Sequence, residues 1–501
     1  MIAATLLIRA DASITIGTGH VMRCLALAQA WQDAGGHAVF AMAESTPAIQ
    51  TRLASEVCPA FSISARTGST EDAEQTIDLA REQRAEWLVV DGYQFNADYQ
   101  RALKEAGLKL LFLDDYGHAR QYPADVILNQ NVSASDELYQ NREPQTRLLL
   151  GPRYCLLRRE FAAWREWSRE VPPIGRRLLV MMGGSDPEKL TARVLEALAS
   201  GEFADLETMV VVGGSNPHFA MLQGLAVQSG RRITVRNDVS NVAELMAAAD
   251  VAVSAAGTTC WEICLLGLPA LLFDVAANQT AVARELDRRG CAVHVGNQRV
   301  AAESIVDQLA RVLRSCELRR SLSISCRQLV DGDGAGRVVS ILRGTEGFRL
   351  RRARTDDSDL LWKWANDPGV RAASFSTAPI PWETHVAWLT EKLASDKSLL
   401  LIAEDERAIP FAQIRFDFRQ NGEADLNISL AKEKRGCGLA VPVIRAGVRE
   451  LLASSECGRV HAFVKPENVA SAKAFERASF VRVGLERVGE HPALHFICDR
   501  S

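Results

Sequence analysis

Ala4-Thr5-Leu6-Leu7-Ile8-Arg9-Ala10, then Gly17-Thr18-Gly19-His20, then the apolar run Val21 to Trp31, is the stretch that decides how this chain is read. A strand-like run that turns through glycines into a helix is the opening of a parallel α/β unit. Backbone N–H groups at such a helix start lack intrahelical partners, and the dipole there attracts an anion. His20 stands at that junction. The same dipole disfavours imidazolium, so a neutral ring able to accept a proton beside a phosphate cradle is expected. Met22 occupies the sixth position of a G-x-G-x-x-G pattern, so the loop lacks the third small residue of a dinucleotide fingerprint. Taken alone, His20 is a helix-cap histidine. Its company gives it a second reading, because Asp11, Asp91-Gly92-Tyr93 and Asp114-Asp115 also end strands of this series.

Working outward, short apolar runs alternate with helical patterns from residue 4 to about 340. Ala4–Ala10, His37–Ala43, Trp87–Val90 and Leu108–Leu113 form one series. Arg177–Met181, Glu207–Val212, Ile233–Val235, Val251–Ser254 and Ala270–Phe273 form another. The fold class is therefore α/β, with two Rossmann-like domains joined in the polar stretch Arg158–Gly175 and a ligand cleft at the carboxyl ends of the strands. After Gly344-Thr345-Glu346-Gly347 the usage changes. Four of the nine tryptophans fall between 362 and 388, whereas all six tyrosines lie at or before 154. A third, α+β domain with strands at Phe348–Ala353, Leu399–Glu404, Ala412–Phe418, Ala424–Leu430 and Val460–Val464 is expected. The limits read as 1–160, 161–344 and 347–501.

Composition bounds the possibilities. The 501 residues are 47% hydrophobic and 24% charged, with a net charge of −4. That is ordinary for a globular protein and speaks against nucleic-acid or membrane-surface binding. The eleven cysteines lack CxxC spacing, and Cys260 and Cys264 have no second pair; reduced thiols and no metal are expected. Met1-Ile2-Ala3 carries no basic n-region, and Val251 to Ala277 is interrupted by Glu262, Asp274 and Pro269. A cytoplasmic protein without a membrane span is expected. Asp331-Gly332-Asp333-Gly334-Ala335-Gly336 resembles a calcium loop only superficially and reads as a turn before a helix.

Two further loops of the second series can cradle phosphate. Gly183-Gly184-Ser185-Asp186-Pro187 follows a strand and precedes a helix, where glycines let amides approach a diphosphate. Ser254-Ala255-Ala256-Gly257-Thr258-Thr259 leads into a helix carrying Glu262, a carboxylate suited to ribose hydroxyls, and Asn278-Gln279 follows the next strand. A plain strand–helix turn and a solvated helix glutamate remain the simpler alternatives.

RADASITIGTGHVMRCLALA, with VVDGY, LDD, LNQN, LLGPRY, MMGGSD, AAGTTCWE and ANQT, resembles the UDP-sugar hydrolases of pseudaminic acid biosynthesis over residues 4 to about 343. That family is related to MurG-type glycosyltransferases. The resemblance implies two Rossmann-like domains of glycosyltransferase-B type. It also implies metal-free hydrolysis of UDP-2,4-diacetamido-2,4,6-trideoxy-β-L-altropyranose to UDP and free sugar. His20 maps onto the catalytic base, with Gly17 and Gly19 in its loop, and Tyr93 lies by the sugar. Asp11, Gly184, Ser185, Gly257, Thr258, Glu262 and Asn278 complete the expected substrate-binding set. Gly92 stands where the family more often has serine. Water attacking the anomeric carbon opposite the diphosphate inverts it, and a positioned imidazole typically contributes about 10²–10⁴-fold.

In the third domain, Arg435-Gly436-Cys437-Gly438-Leu439-Ala440 follows a strand and opens a helix, and Pro466-Glu467-Asn468-Val469-Ala470-Ser471 follows the next strand. This pair resembles the acetyl-CoA site of GNAT N-acetyltransferases. Trp364-Ala365-Asn366-Asp367-Pro368 and His385-Val386-Ala387-Trp388 resemble those that acetylate 4-amino UDP-sugars in the same pathway. The resemblance covers 348 to about 485. It places the pyrophosphate of the acetyl-CoA cosubstrate on Arg435, Gly436, Gly438 and Ala440, and its pantetheine arm on Asn468, with Ser471 nearby. Many such enzymes protonate the leaving thiolate with a tyrosine, but position 475 is Phe and this domain has no tyrosine. The acid is then Ser471 or water, or the domain is impaired, and His385 is a candidate base or substrate contact, or a packed helix residue. The combined expectation is a bifunctional enzyme that acetylates UDP-4-amino-4,6-dideoxy-N-acetyl-altrosamine and then hydrolyses the product. A MurG-like glycosyltransferase with an acetyltransferase tail, and a non-catalytic UDP-sugar sensor, are the alternatives.

Overall fold

β1 (Thr5–Ala10) is buried at all six positions, and Leu6, Leu7 and Ile8 are wholly inaccessible. Helices cover both faces of a parallel sheet, which is why the strand reads as a continuous apolar run rather than an alternating one. The structure, a computed structural model, describes residues 4–13, 15–184, 186, 188–199, 201–214, 216–237, 239, 242–297, 299–344, 347–405, 408–436 and 439–500. Ser185 and Gly438, both expected site residues, lie outside the described residues. The chain divides into two compact units, Ala4–Val339 and Ser340–Ser501.

The first unit holds two parallel sheets. β1 is joined by β2 (His37–Met42), β3 (Ala60–Ser62), β4 (Ala85–Asp91), β5 (Leu110–Leu113), β6 (Val126–Asn129) and β7 (Arg147–Leu150), in the order β3-β2-β1-β4-β5-β6-β7. The second sheet contains β8 (Arg177–Met181), β9 (Glu207–Val212), β10 (Ile233–Asn237), β11 (Val251–Ala255), β12 (Ala270–Asp274) and β13 (Val293–Asn297), in the order β10-β9-β8-β11-β12-β13. In both sheets the strand order reverses beside the first strand, between β1 and β4 and between β8 and β11. Such a reversal leaves a crevice at the carboxyl ends of the strands.

Arg9 breaks the apolar row of β1. Its guanidinium is fully buried and donates to both oxygens of Asp72 (2.9 and 2.8 Å) and to Asp11 (2.7 Å). Asp11 also accepts from the amides of Ala43 and Glu44 and from the Thr67 hydroxyl. A buried cation with this set of partners is held by structure, and removing one partner costs about 3–5 kcal/mol.

The second unit is built on a mixed sheet of β14 (Phe348–Arg352), β15 (Ser398–Asp405), β16 (Pro410–Phe418), β17 (Glu423–Leu430), β18 (Arg459–Val464), β19 (Val481–Val488) and β20 (His491–Asp499), ordered β14-β15-β16-β17-β18-β20-β19. β17 and β18 run parallel but pair only at Glu423–Arg459, Ala424–Val460 and Asp425–His461, then separate. The helices Ala440–Ser454 and Val469–Arg477 contribute Val443, Leu451 and Phe475 to a core with Phe416, Val460 and Phe496. Among the described residues no helix is long and apolar enough to cross a membrane.

Six strands fall outside the runs singled out from the sequence: β3, β6, β7, β13, β19 and β20. β3 has three residues, two of them exposed. β6 and β7 are four-residue pieces, too short for periodicity to distinguish from loop. β19 is a mostly exposed edge strand with a register shift between Arg482 and Gly484, so its side chains do not alternate cleanly.

Asp114 supplies an acid-sensitive element. It accepts from the amides of Asp115, Tyr116 and Gly117 and from the Tyr122 hydroxyl (2.5 Å), with His118 3.4 Å away. Burial opposes its ionised form, but His118, Tyr122 and the amides outweigh it and hold the carboxyl down to about 2, from 3.8. A depressed carboxylate stabilises the fold above its unfolded pKa and loses that contribution as pH falls through the folded one. About 2 kcal/mol is therefore lost between pH 4 and 2. Thermal melts are expected to show Asp114→Asn destabilised at neutral pH and less sensitive than wild type to acid in this window.

Candidate active site

The loops after β1, β4, β8, β11 and β12 face one cleft of about 960 Å³ within the Ala4–Val339 unit. The helices Gly19–Asp33, Thr259–Leu265 and Ala277–Arg288 start on it, and none carries a side-chain cap at its N-terminus. Among the described residues these helix starts on the cleft therefore have no N-cap side chain bonded to their amides.

His20 lies on the first turn of Gly19–Asp33, at the cleft wall. Its Nδ1 is 2.6 Å from Asp91 Oδ1 at the end of β4. Asp91 is wholly buried and also accepts from Arg23 Nε (2.6 Å), Arg23 Nη2 (2.7 Å) and the Cys24 thiol. Burial works against its charge, and Arg23 and His20 overcome it, keeping the carboxyl far below the usual carboxylate range. An ionised carboxylate only accepts, so His20 donates from Nδ1 and Nε2 is left as the basic nitrogen. The helix terminus is therefore not the nearest charge to the ring. A carboxylate fixes its tautomer, which the sequence reading had not assigned.

A second arm runs from Arg23. Its Nη1 donates to Asp115 Oδ1 (2.7 Å), whose other oxygen accepts from the Tyr93 hydroxyl (2.6 Å). Tyr93 accepts from Asn278 Nδ2 (2.8 Å), joining the first sheet's loop to the second sheet's helix across the cleft. The Tyr93 and His20 rings meet edge to face at 5.0 Å. Burial and the Asp115 charge push the Tyr93 phenol well above its ordinary range, so it stays a neutral donor. Of the adjacent Asp114 and Asp115, only Asp115 belongs to this network.

Gly17, Gly19, Gly184, Gly257, Thr258 and Glu262 also line the cleft. Gly17 has φ +80°, a left-handed conformation that glycine adopts freely. At Gly184 an added Cβ would lie 2.7 Å from Thr18 Oγ1, so absence of a side chain lets the two loops approach. Gly184→Val is expected to raise the KM for whatever substrate the cleft takes about tenfold through overpacking of roughly 1–3 kcal/mol; steady-state kinetics reads this directly. Glu262 is 3.0 Å from Arg158, which also pairs with Glu160. Burial raises the Glu262 carboxyl and Arg158 pulls it back only in part. Asp11 is the exception: its carboxylate is taken up by Arg9, Thr67 and two amides, and it does not line the cleft.

In the Ser340–Ser501 unit the Arg435 guanidinium pairs with Asp367 (2.7 Å) and donates to the Leu430 carbonyl, bracing the loop. Gly436 has φ +76°, and Ala440 is the first residue of the helix Ala440–Ser454, which lacks a side-chain cap. Asn468 caps Val469–Arg477 by accepting from the Ser471 amide (3.2 Å), which leaves its Nδ2 to donate. Phe475 is buried against Phe480 and Phe496, a core position rather than an acid's. His385 is no base here: it is buried, bonded through Nε2 to the Ser358 carbonyl (3.0 Å) and flanked by Trp382 and Trp388. Burial lowers its pKa.

Two parallel sheets sharing a cleft at their switch points, followed by a mixed sheet with a parted strand pair, define a MurG-like, glycosyltransferase-B-type part joined to a GNAT acetyltransferase domain. Residues 178–321 match the glycosyltransferase family 28 C-terminal domain and residues 348–481 the acetyltransferase (GNAT) domain. The spore coat polysaccharide biosynthesis protein SpsG of Bacillus subtilis is 31% identical over 236 residues, covering 47% of this chain and 68% of that protein. The UDP-2,4-diacetamido-2,4,6-trideoxy-beta-L-altropyranose hydrolase of Campylobacter jejuni is 27% identical over 287 residues, 57% of this chain and 96% of that protein. An uncharacterized protein of Methanocaldococcus jannaschii is 20% identical over 513 residues, 96% of this chain and 97% of that protein. The chain belongs to the family of SpsG, and carries a GNAT domain fused to its UDP-sugar-hydrolase-like part.

Proposed function

We propose that the chain is a bifunctional nucleotide-sugar enzyme whose GNAT domain acetylates the 4-amino group of UDP-4-amino-4,6-dideoxy-N-acetyl-altrosamine, and whose cleft hydrolyses the resulting UDP-2,4-diacetamido-2,4,6-trideoxy-β-L-altropyranose. The observation that carries the hydrolase reading is the His20–Asp91 pair, with Nδ1 engaged and Nε2 left basic at the wall of the cleft. His20 takes a proton from water as its oxygen bonds to C1. The bond from C1 to the diphosphate oxygen breaks and UDP leaves with the electron pair. Attack opposite the leaving group inverts C1, and the uncapped helix starts offset the charge that develops on the diphosphate. Gly17, Gly19, Gly184, Gly257 and Thr258 bring backbone close to the diphosphate, Glu262 takes the ribose hydroxyls, and Tyr93 and Asn278 lie toward the sugar. Ser185 joins them on sequence grounds. The relative from Campylobacter jejuni, which bears the name of this hydrolase, supports the substrate class.

For acetyl transfer, the amides at Gly436 and Ala440 hold the acetyl-CoA pyrophosphate, joined on sequence grounds by Gly438, with Arg435 bracing the loop and Asn468 and Ser471 beside the arm. Gly436→Val forces a branched residue into a left-handed backbone at a cost of about 1–2 kcal/mol. It is expected to raise the KM for acetyl-CoA while UDP release from diacetamido substrate continues. The parts are proposed to meet near residues 160 and 345.

Phosphorus NMR of the 4-amino UDP-sugar with EDTA, with and without acetyl-CoA, tests the reading. UDP release only with acetyl-CoA supports both activities, their order and metal independence. Intact nucleotide in both tubes refutes it for this sugar. The glycosyltransferase family 28 match favours one second reading, a transferase, for which UDP release requires an added acceptor.

A further inference from the structure

We propose that Arg23 is the positioning residue that sets both His20 and Tyr93 for hydrolysis, an inference that rests on the hydrolase reading above. Arg23 lies one helical turn after His20, almost wholly buried. Its planar fork spends three donors on Asp91 and Asp115, and Nη2 also lies 3.3 Å from His20 Nδ1, a contact in which the guanidinium cannot accept the ring proton and which leaves that proton to Asp91. Those two carboxylates hold the cleft's two working side chains, His20 through Nδ1 and Tyr93 through its hydroxyl. Asn131 supplies one further donor to Asp115, and Cys24 one to Asp91. Arg23 is thus the single cation shared by both arms among the described residues.

The chemistry follows from proton counting. Two buried carboxylates near each other cannot both stay ionised without a countercharge. With Arg23 between them both remain acceptors only, so the proton of His20 stays on Nδ1 and that of Tyr93 on its oxygen. Without Arg23, the Asp91–His20 pair takes up a proton. Whether the pair's first proton sits on Asp91 or on Nδ1, His20 then carries the second one on Nε2, and the nitrogen facing water is no longer basic. Lysine keeps the charge but not the fork, since its compact ammonium cannot bond both oxygens of Asp91 side by side while reaching Asp115.

The test combines kinetics with imidazole ¹⁵N chemical shifts of the full chain, which report the tautomer whether or not any sugar turns over. R23Q is expected to lower kcat by about 10²-fold or more, within the range a positioned base supplies. KM is expected to stay nearly constant, and the His20 signals to move from the Nδ1–H pattern to one with a proton on Nε2. R23K is expected to retain the Nδ1–H pattern and to recover part of kcat. Unchanged kcat in R23Q, or lowered kcat with the wild-type tautomer in both variants, overturns the proposal. Should R23Q not fold, a double-mutant cycle of R23K with Tyr93→Phe decides: non-additive losses support the shared anchor and additive ones refute it. A wild-type chain that shows the Nδ1–H pattern, and loses it in R23Q, yet releases no UDP, contradicts the hydrolase reading while leaving the positioning role intact.

Discussion

His20→Gln is expected to reduce UDP release by about 10²–10⁴-fold, or roughly 3–5 kcal/mol of barrier, because the nitrogen that accepts the water's proton is gone. Acetyl transfer is expected to be untouched, since His20 belongs to the Ala4–Val339 unit and the Arg435–Ala440 loop to the other. The variant gives up the Nδ1 bond to buried Asp91, but the two Arg23 donors and the Cys24 thiol remain on that carboxylate, so only a modest drop in melting temperature is expected. A coupled assay for free UDP and a thiol assay for released CoA, run on the same preparation, separate the outcomes. Loss of both activities in a folded variant contradicts two separate sites.

Asp91→Asn is expected to damage catalysis as severely and stability as well. Asp91 receives four donors: His20 Nδ1, two from Arg23 and the Cys24 thiol. An amide has one oxygen, and the all-donor guanidinium claims it. The amide NH₂ then faces His20 Nδ1, which must accept, so the imidazole proton moves to Nε2 and the base is lost. Removing the charge also leaves Arg23 with only Asp115, and unpairing a buried ion in this way costs about 3–5 kcal/mol. Calorimetry beside the UDP assay distinguishes this variant from His20→Gln: both are expected to lose UDP release, and Asp91→Asn is expected to melt much the earlier of the two. An Asp91→Asn protein with wild-type turnover would refute the dyad.

Much of the architecture is legible in the chain because buried parallel strands are short continuous apolar runs, as in Leu6–Ile8 and Val251–Ala255. β19 is not, because an exposed edge strand with a bulge has no buried face to impose alternation. Strand ends marked Asp91, Tyr93 and Asp115 as converging, but the same logic drew in Asp11. A carboxylate two residues from a buried arginine in a strand serves that arginine, and Arg9 was the available warning. Arg23 was missed for the converse reason. It stands among Val21, Cys24 and Leu25 on a helix whose sequence reads as core, and a charge there was itself the signal, since an arginine is buried only where acceptors such as carboxylates or carbonyls meet it. Phe475 shows the limit from the other side. A missing tyrosine is visible in sequence, whereas that the position packs into a core is visible only in the fold.

The repeated strand order has a consequence for tolerance to substitution. Each sheet brings its own switch point, so the wall bearing His20 and Tyr93 and the wall bearing Gly184, Gly257 and Glu262 are built by separate cores. They meet through few side chains, such as the Tyr93–Asn278 hydrogen bond. A substitution that repacks one wall therefore leaves the backbone of the other in place, and the two halves of the cleft can be altered one at a time.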